Sequence, residues 1–203
     1  MIVTISNEYG AGALAVAGRV AQALGYEYVD QQLPVVVAKR LHIAPEVVDA
    51  NEDASPTMGE RLLTSLERAT PELALASVEE PFDEELLRAV QEAVREYAAR
   101  GNAVIVGRGA FAILGAREDV LRIFMHAPRA WRIARVVEAA HIRPEVAEAE
   151  VDRVDRSRSA YIKDWYGLTF GDARNYDICI DTSRLDVSQS AALIVAAARA
   201  RGA

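Results

Sequence analysis

A chain of 203 residues and 22.1 kDa, 51% hydrophobic and 26% charged, can build one domain with an insertion and is too apolar for wholesale disorder. Acidic residues outnumber basic ones 30 to 23, a formal charge of −7 that argues against general nucleic-acid binding yet leaves room for a local basic pocket. No apolar run approaches the roughly 20 residues of a membrane span, Met1-Ile2-Val3-Thr4-Ile5 lacks a secretion signal's basic start, and one cysteine, Cys179, builds neither disulfide nor cysteine zinc site. Cytoplasm is the expected compartment. Ile2 to Ile5 is a short β-branched run, as in a strand buried on both faces. A turn, Asn7 to Gly12, leads to a helix from Ala13 to Leu24, with Leu14, Ala17, Ala21 and Leu24 at helical spacing and Gly25 as its stop. Tyr26 to Val29 predicts a second strand ending at Asp30. Residues 34–100 are helical in pattern: Leu62, Leu63 and Leu66 mark one helix. Asp83 reads as the N-cap of another, whose apolar face carries Leu86, Leu87, Val90, Val94 and Tyr97. Pro71 to Pro81 is the most loop-like stretch between them.

Ala103 to Val106 predicts a third buried strand running into Gly107-Arg108-Gly109, and Val120 to His126 a fourth. Pro128 opens a helix through Ala140, Pro144 one to about Lys163, and Tyr176 to Ile180 is the fifth strand. Asp186 with Gln189 resembles a capping box for a last helix, Val187 to Arg201. Strands alternating with helices imply a mainly parallel sheet covered on both faces, with ligands beyond the carboxyl ends of its strands.

Three turns fall there: Asn7 to Gly12, Asp30 to Gln32 and Gly107 to Gly109. In the first, backbone N–H groups and a helix N-terminus can converge on an anion. Gly10, Gly12 and Ala15 fit G-x-G-x-x-A with acidic Asp30 ending the next strand, the pattern of dinucleotide-binding oxidoreductases. The spacer Asn7-Glu8-Tyr9 has instead the length of a phosphate-wrapping P-loop, though Ala13 and Leu14 then stand at its lysine and hydroxyl. The chain's two lysines, Lys39 and Lys163, are both remote in sequence. A tight turn without ligand is the third reading. Arg108, between two glycines at a strand end, can grip a phosphate or pair with a neighbouring helix. Residues 129–163 hold eight basic and six acidic side chains, a net +2. They suit either a solvated helical hairpin or an arginine-bearing lid. His42, His126 and His141 lack metal-ligand spacing. Cys179 reads as a core residue, Trp131 and Trp165 as helix packing, and Tyr161, Tyr166 and Phe170 as hinge packing.

Five stretches in this order resemble the cytidylate-kinase-like family of P-loop nucleotide kinases over essentially the whole length. They are Ile5-Ser6-Asn7-Glu8-Tyr9-Gly10-Ala11-Gly12; Tyr28-Val29-Asp30; Val104-Ile105-Val106-Gly107-Arg108-Gly109; residues 132–158 with D-x-x-D-x-x-R at Asp152, Asp155 and Arg158; and Asn175-Tyr176-Asp177 leading to Ile180-Asp181-Thr182. The resemblance implies a three-layer α/β/α P-loop kinase fold: a five-stranded sheet, a helical acceptor-binding insertion near 34–100 and a lid near 129–170. The loop Asn7, Glu8, Tyr9, Gly10, Ala11, Gly12, Ala13 and Leu14 is expected to cradle ATP phosphates, with Thr182 near the adenine. Asp30 and Arg108 are expected at the acceptor, and Arg108, Arg132, Arg135 and Arg158 around the transferred phosphoryl group. True cytidylate kinases keep the loop lysine and hydroxyls and follow Gly-Arg with an aspartate, where this chain has Ala13, Leu14 and Gly109; Asp30-Gln31-Gln32 replaces their Asp-Thr-Gly. Mg²⁺, the expected companion of ATP, has only Ser6, Asp30 or water to hold it. The expected activity is phosphoryl transfer from ATP to a nucleotide or related small acceptor, with a catalytically impaired nucleotide-binding module as the alternative. No nucleic acid or membrane is expected as a partner.

Overall fold

The computed structural model describes residues 1–29, 36–37 and 81–203. Asp30, Gln31, Gln32, His42, Lys39, the helix at Leu62 to Leu66 and most of the 34–100 insertion lie outside the described residues. Five strands, β1 (Ile2–Asn7), β2 (Glu27–Val29), β3 (Ala103–Val106), β4 (Val120–His126) and β5 (Ile178–Asp181), form one sheet in the order β2-β3-β1-β4-β5. All four pairings are parallel, so the sheet is wholly rather than mainly parallel. Strand β1 lies at the centre, Thr4 beside Ile105 on one side and Arg122 on the other.

Alternating side chains send the sheet's apolar residues to two cores. Val3, Ile5, Val104, Ile123 and Ile180 pack with α1 (Ala13–Leu24) and the last helix, while Ile2, Ala103 and Ile105 pack with α2 (Pro81–Arg100) and α3 (Ala110–Leu114). Burying a side chain such as Ile5 or Ile123 contributes about 2 kcal/mol, which is why β-branched runs fix the sheet before any site chemistry is considered. Two further helices, α4 (Arg129–Ala140) and α5 (Pro144–Tyr166), make a hairpin with its own small core of Val136, Ala147 and Val151, against which Tyr9 packs. Helix α6 (Val187–Ala200) closes the fold behind its capping box: Gln189 N donates to Asp186 Oδ1 at 2.8 Å and Asp186 N to Gln189 Oε1 at 3.0 Å.

Most elements fall where the residue pattern puts them, and the differences have local causes. Helix α2 already includes Asp83 in its first turn, so Asp83 is not its cap. Strand β1 runs on to Asn7 because β4 keeps pairing as far as Met125. The five-residue α3 is too short to show a period. Cys179 is exposed rather than in the core, because β5 is an edge strand and Cys179 alternates with the inward Ile178 and Ile180.

Candidate functional site

The carboxyl end of β1 opens into a loop whose amides and carbonyls are unusually well assigned. Glu8 N donates to Met125 O at 3.0 Å, Ala11 N to Glu8 O at 3.1 Å, and Asn7 Nδ2 to Glu8 O at 2.8 Å. Gly10 and Gly12 both lie in the left-handed region, at φ 83° and 82°. A Cβ on Gly10 would stand 2.9 Å from the Arg132 carbonyl oxygen, and one on Gly12 would stand 3.4 Å from Arg135 Nη2. Gly10 is therefore needed twice over, for backbone conformation and for the approach of α4, whereas at Gly12 the need is conformational, since Arg135 Nη2 stands at ordinary contact distance. Gly12 caps α1 without a side-chain bond, so the first amides of that helix have no acceptor within it and carry its partial positive charge.

Those amides border a cavity of about 540 Å³, lined by Gly10, Gly12, Ala13 and Leu14 together with Arg108, Arg135 and Arg158. The volume falls in the range of small-ligand pockets. Arg108 follows β3 and is 9% exposed, with a left-handed φ of 58° that a non-glycine residue adopts only at a strained turn. Gly107 N donates to Ile5 O at 3.0 Å and ties this turn to β1. Arg158, from α5, donates through Nη1 to Asn7 O at 3.0 Å, its guanidinium 5.9 Å from the Tyr9 ring centre. Arg135 is exposed and rests on the Trp131 ring at 4.9 Å. Among the described residues no carboxylate pairs with it.

Arg132 is placed differently. It is buried and does not line the cavity: Nε donates to Ala127 O at 3.0 Å, Nη1 to Tyr9 O at 2.9 Å and to Asp155 Oδ2 at 2.6 Å, with Glu8 Oε2 3.2 Å from Nε. Three residues along a helix turn a side chain by about 300°, so Arg132 and Arg135 diverge by about 60° and only the second reaches the opening. The same contacts account for Glu8, an awkward charge beside a loop expected to cradle phosphates. Its carboxylate accepts from Ala127 N at 3.2 Å and pairs with Arg132, away from the cavity lining.

A second cavity of about 340 Å³ lies on the other side of Gly12, lined by Trp131, Arg135, Thr182, Ser183 and Gln189 among others. Thr182 is held by two bonds to His126 O, from N at 2.9 Å and from Oγ1 at 3.2 Å. Bonds from Ser183 Oγ (2.6 Å) and N (2.9 Å) hold the Asp181 carboxyl below the usual carboxylate range. Gly12 and Arg135 border both cavities. The arrangement suits an elongated anion whose charge crosses Gly12 and whose two ends occupy the two hollows.

No group of three or more histidine, cysteine or acidic residues suited to a metal occurs among the described residues. The carboxylates beside the loop, Glu8 and Asp155, are both paired with Arg132, and Ser6 is buried next to the Tyr176 hydroxyl. The described residues thus offer Mg²⁺ no free carboxylate at the loop. Asp30, the other expected ligand, lies outside them.

Two features escape the sequence reading. Trp131 walls the second cavity instead of serving only as helix packing; its i, i+4 spacing to Arg135 was the available signal. Gly109 sits beneath Tyr161 and Tyr166, each with a ring carbon 3.2 Å from where a Cβ would stand, so the rings crowd the position at which true cytidylate kinases have an aspartate. Nothing in the local sequence announces that contact, which joins residues more than 50 positions apart.

The model of the cytidylate kinase-like family matches residues 2–184. The chain is 26% identical to a cytidylate kinase of Halobacterium salinarum over 91% of its length and 82% of that protein, and 26% identical to one of Natronomonas pharaonis over 98% and 90%. Among solved structures it is similar to an uncharacterized protein of Eubacterium ventriosum (TM-score 0.69, 19% identity, 98% of both chains) and to a shikimate kinase of Bacteroides thetaiotaomicron (TM-score 0.55, 13% identity, 98% of both chains). Such neighbours share the P-loop kinase fold seen here, with its five parallel strands between helical layers. The chain, by the match of its motifs over residues 2–184, belongs to the cytidylate kinase-like family.

Proposed function

We propose that the protein transfers the terminal phosphoryl group of ATP to a nucleotide or a related small acceptor. The observation that carries this reading is the junction of two cavities at Gly12 and Arg135, with glycine-loop amides on one side and, on the other, a guanidinium that pairs with no carboxylate among the described residues. Phosphoryl transfer needs in-line positioning and neutralisation of charge on the migrating group, and little covalent work by the protein. In this assignment the amides of Gly10, Gly12, Ala13 and Leu14 hold the donor phosphates, with Thr182 and Trp131 beside the donor base. Arg108 grips the acceptor's anionic group, and Arg135 and Arg158 close on the group in transit. Arg132 supports the loop from behind.

The second reading, a nucleotide-binding module without transfer, is favoured by one observation. Ala13 is buried and Leu14 is 57% exposed at the cavity, so two apolar side chains stand where true cytidylate kinases have a lysine and a hydroxyl. Incubation with ATP, Mg²⁺ and each nucleoside monophosphate in turn separates the two. The first reading expects ADP to form in step with one phosphorylated acceptor; ATP binding with no product from any acceptor contradicts it and leaves the second.

A further inference from the structure

The carbonyl oxygens immediately before Gly10 are all occupied, two of them by arginines from the α4–α5 hairpin: Asn7 O by Arg158 and Tyr9 O by Arg132. Glu8 O, between them, accepts from Asn7 Nδ2 and Ala11 N. The amide on the other side is fixed as well, since Tyr9 N donates to Asp155 Oδ1 at 2.8 Å. Tyr9 is thus gripped at both ends of its backbone by one ion pair, Arg132–Asp155, whose two partners come from different helices. Glu8 adds the third member and is itself anchored on Ala127 N, at the start of the turn into α4.

Peptide geometry gives this grip a direction. The Tyr9 carbonyl and the Gly10 N–H belong to one planar trans unit and point opposite ways. Holding Tyr9 O on Arg132 therefore turns the Gly10 N–H away from Arg132. Gly10 borders the 540 Å³ cavity and Arg132 does not. We infer that Arg132, locked by Glu8 and Asp155, is the positioning residue that aims the Gly10 amide at the donor phosphate, supplying from the hairpin the loop order that Ala13 cannot supply from within. The inference rests on the functional reading above for the identity of the anion, and on geometry alone for the grip.

Arginine suits this task and lysine does not. Nε and Nη1 reach different acceptors, Ala127 O on one side and Tyr9 O with Asp155 on the other, in a fixed planar fork. A single ammonium keeps the charge but cannot span both. The experiment compares wild type, Arg132→Lys, Asp155→Asn and a control, Arg129→Ala, which breaks the exposed Arg129–Glu148 and Arg129–Asp152 pairs between the same two helices. ATP affinity is measured by titration calorimetry, acceptor KM by turnover, and exchange of the Tyr9 and Gly10 amides by NMR.

Arg132→Lys and Asp155→Asn are expected to weaken ATP binding between roughly tenfold and a hundredfold, the range for a misplaced positioning group, while acceptor KM stays put. Their Tyr9 amide exchanges faster than in wild type, and Arg129→Ala changes neither binding constant. Equal or tighter ATP binding in both variants overturns the inference, tighter binding meaning that the grip holds the loop closed against phosphate. Should Arg132→Lys fail to fold, Asp155→Asn alone decides by the same readouts. Should wild type bind no nucleotide at all, the functional reading fails; the grip then stands or falls on Tyr9 exchange, which must rise in Asp155→Asn.

Discussion

The guanidinium of Arg135 lies over Gly12, its Nη2 3.4 Å from the point where a Cβ would stand. Arg135 is carried by α4 and Gly12 heads α1, so the positive charge next to the glycine loop comes from another helix instead of from the loop's own following residue. If this charge does the work of the absent lysine, Arg135→Ala slows transfer by roughly a hundredfold or more, the usual effect of losing one charge-stabilising donor. Ala13→Lys placed in that background then recovers part of the rate, and the double-mutant comparison of kcat/KM reads the coupling. Additive losses remove Arg135 from the role.

Gly10→Ala tests the fit of the loop against α4. The added methyl meets backbone at 2.9 Å from the Arg132 oxygen, and φ of 83° adds strain of about 1–3 kcal/mol. Loop and helix have to part, so the expected result is a lowered Tm together with lost ATP affinity. Gly25→Ala is the comparison: it has a similar positive φ of 67° but meets nothing within 4 Å, so it lowers Tm without touching ATP binding.

The sheet was legible because β1 and β3 are short β-branched runs, β3 lying between Gly101 and Gly107, and because helix stops such as Gly25 and the Asp186–Gln189 box carry their own chemistry. The glycine loop was legible for a related reason: two left-handed positions two residues apart strongly favour glycine, and Gly10 and Gly12 stand at them. What the arginines do was not. Arg132 and Arg135 are the same residue type three positions apart, and their separation into a strut behind the loop and a charge in front of it depends on where Asp155 and Glu8 sit, 23 and 124 residues away in the chain. Cys179 was misjudged for a related reason, since an apolar run looks the same on a central strand and on an edge strand.

Arg108→Lys is expected to raise acceptor KM by roughly tenfold to a hundredfold while ATP affinity holds, because a point charge replaces a planar fork at a site for an anionic group. Steady-state kinetics with each substrate varied in turn checks this, and an unchanged acceptor KM removes Arg108 from the acceptor site.

Asp177 links stability to pH. Partial burial pushes its carboxyl up, but hydrogen bonds from Arg122 Nε, Nη2 and N outweigh this and hold it below the ordinary range. A carboxyl whose folded pKa is lowered stabilises the fold above its unfolded value of about 4 and loses that contribution as pH falls through the folded value. Asp177→Asn should therefore cost about 1 kcal/mol at pH 7, discounted for its partly exposed position, and the deficit should shrink toward zero in acid. Urea melts at pH 7 and pH 3 measure it; a deficit independent of pH would assign the loss to packing.

The most direct measurement is a crystal structure with a non-hydrolysable ATP analogue. The phosphates are expected between Gly12 and Arg135, with oxygens about 3 Å from amides of the Gly10 to Leu14 segment and the base in the hollow beside Trp131 and Thr182. A triphosphate bound elsewhere, with this loop unchanged and its amides uncontacted, contradicts this placement.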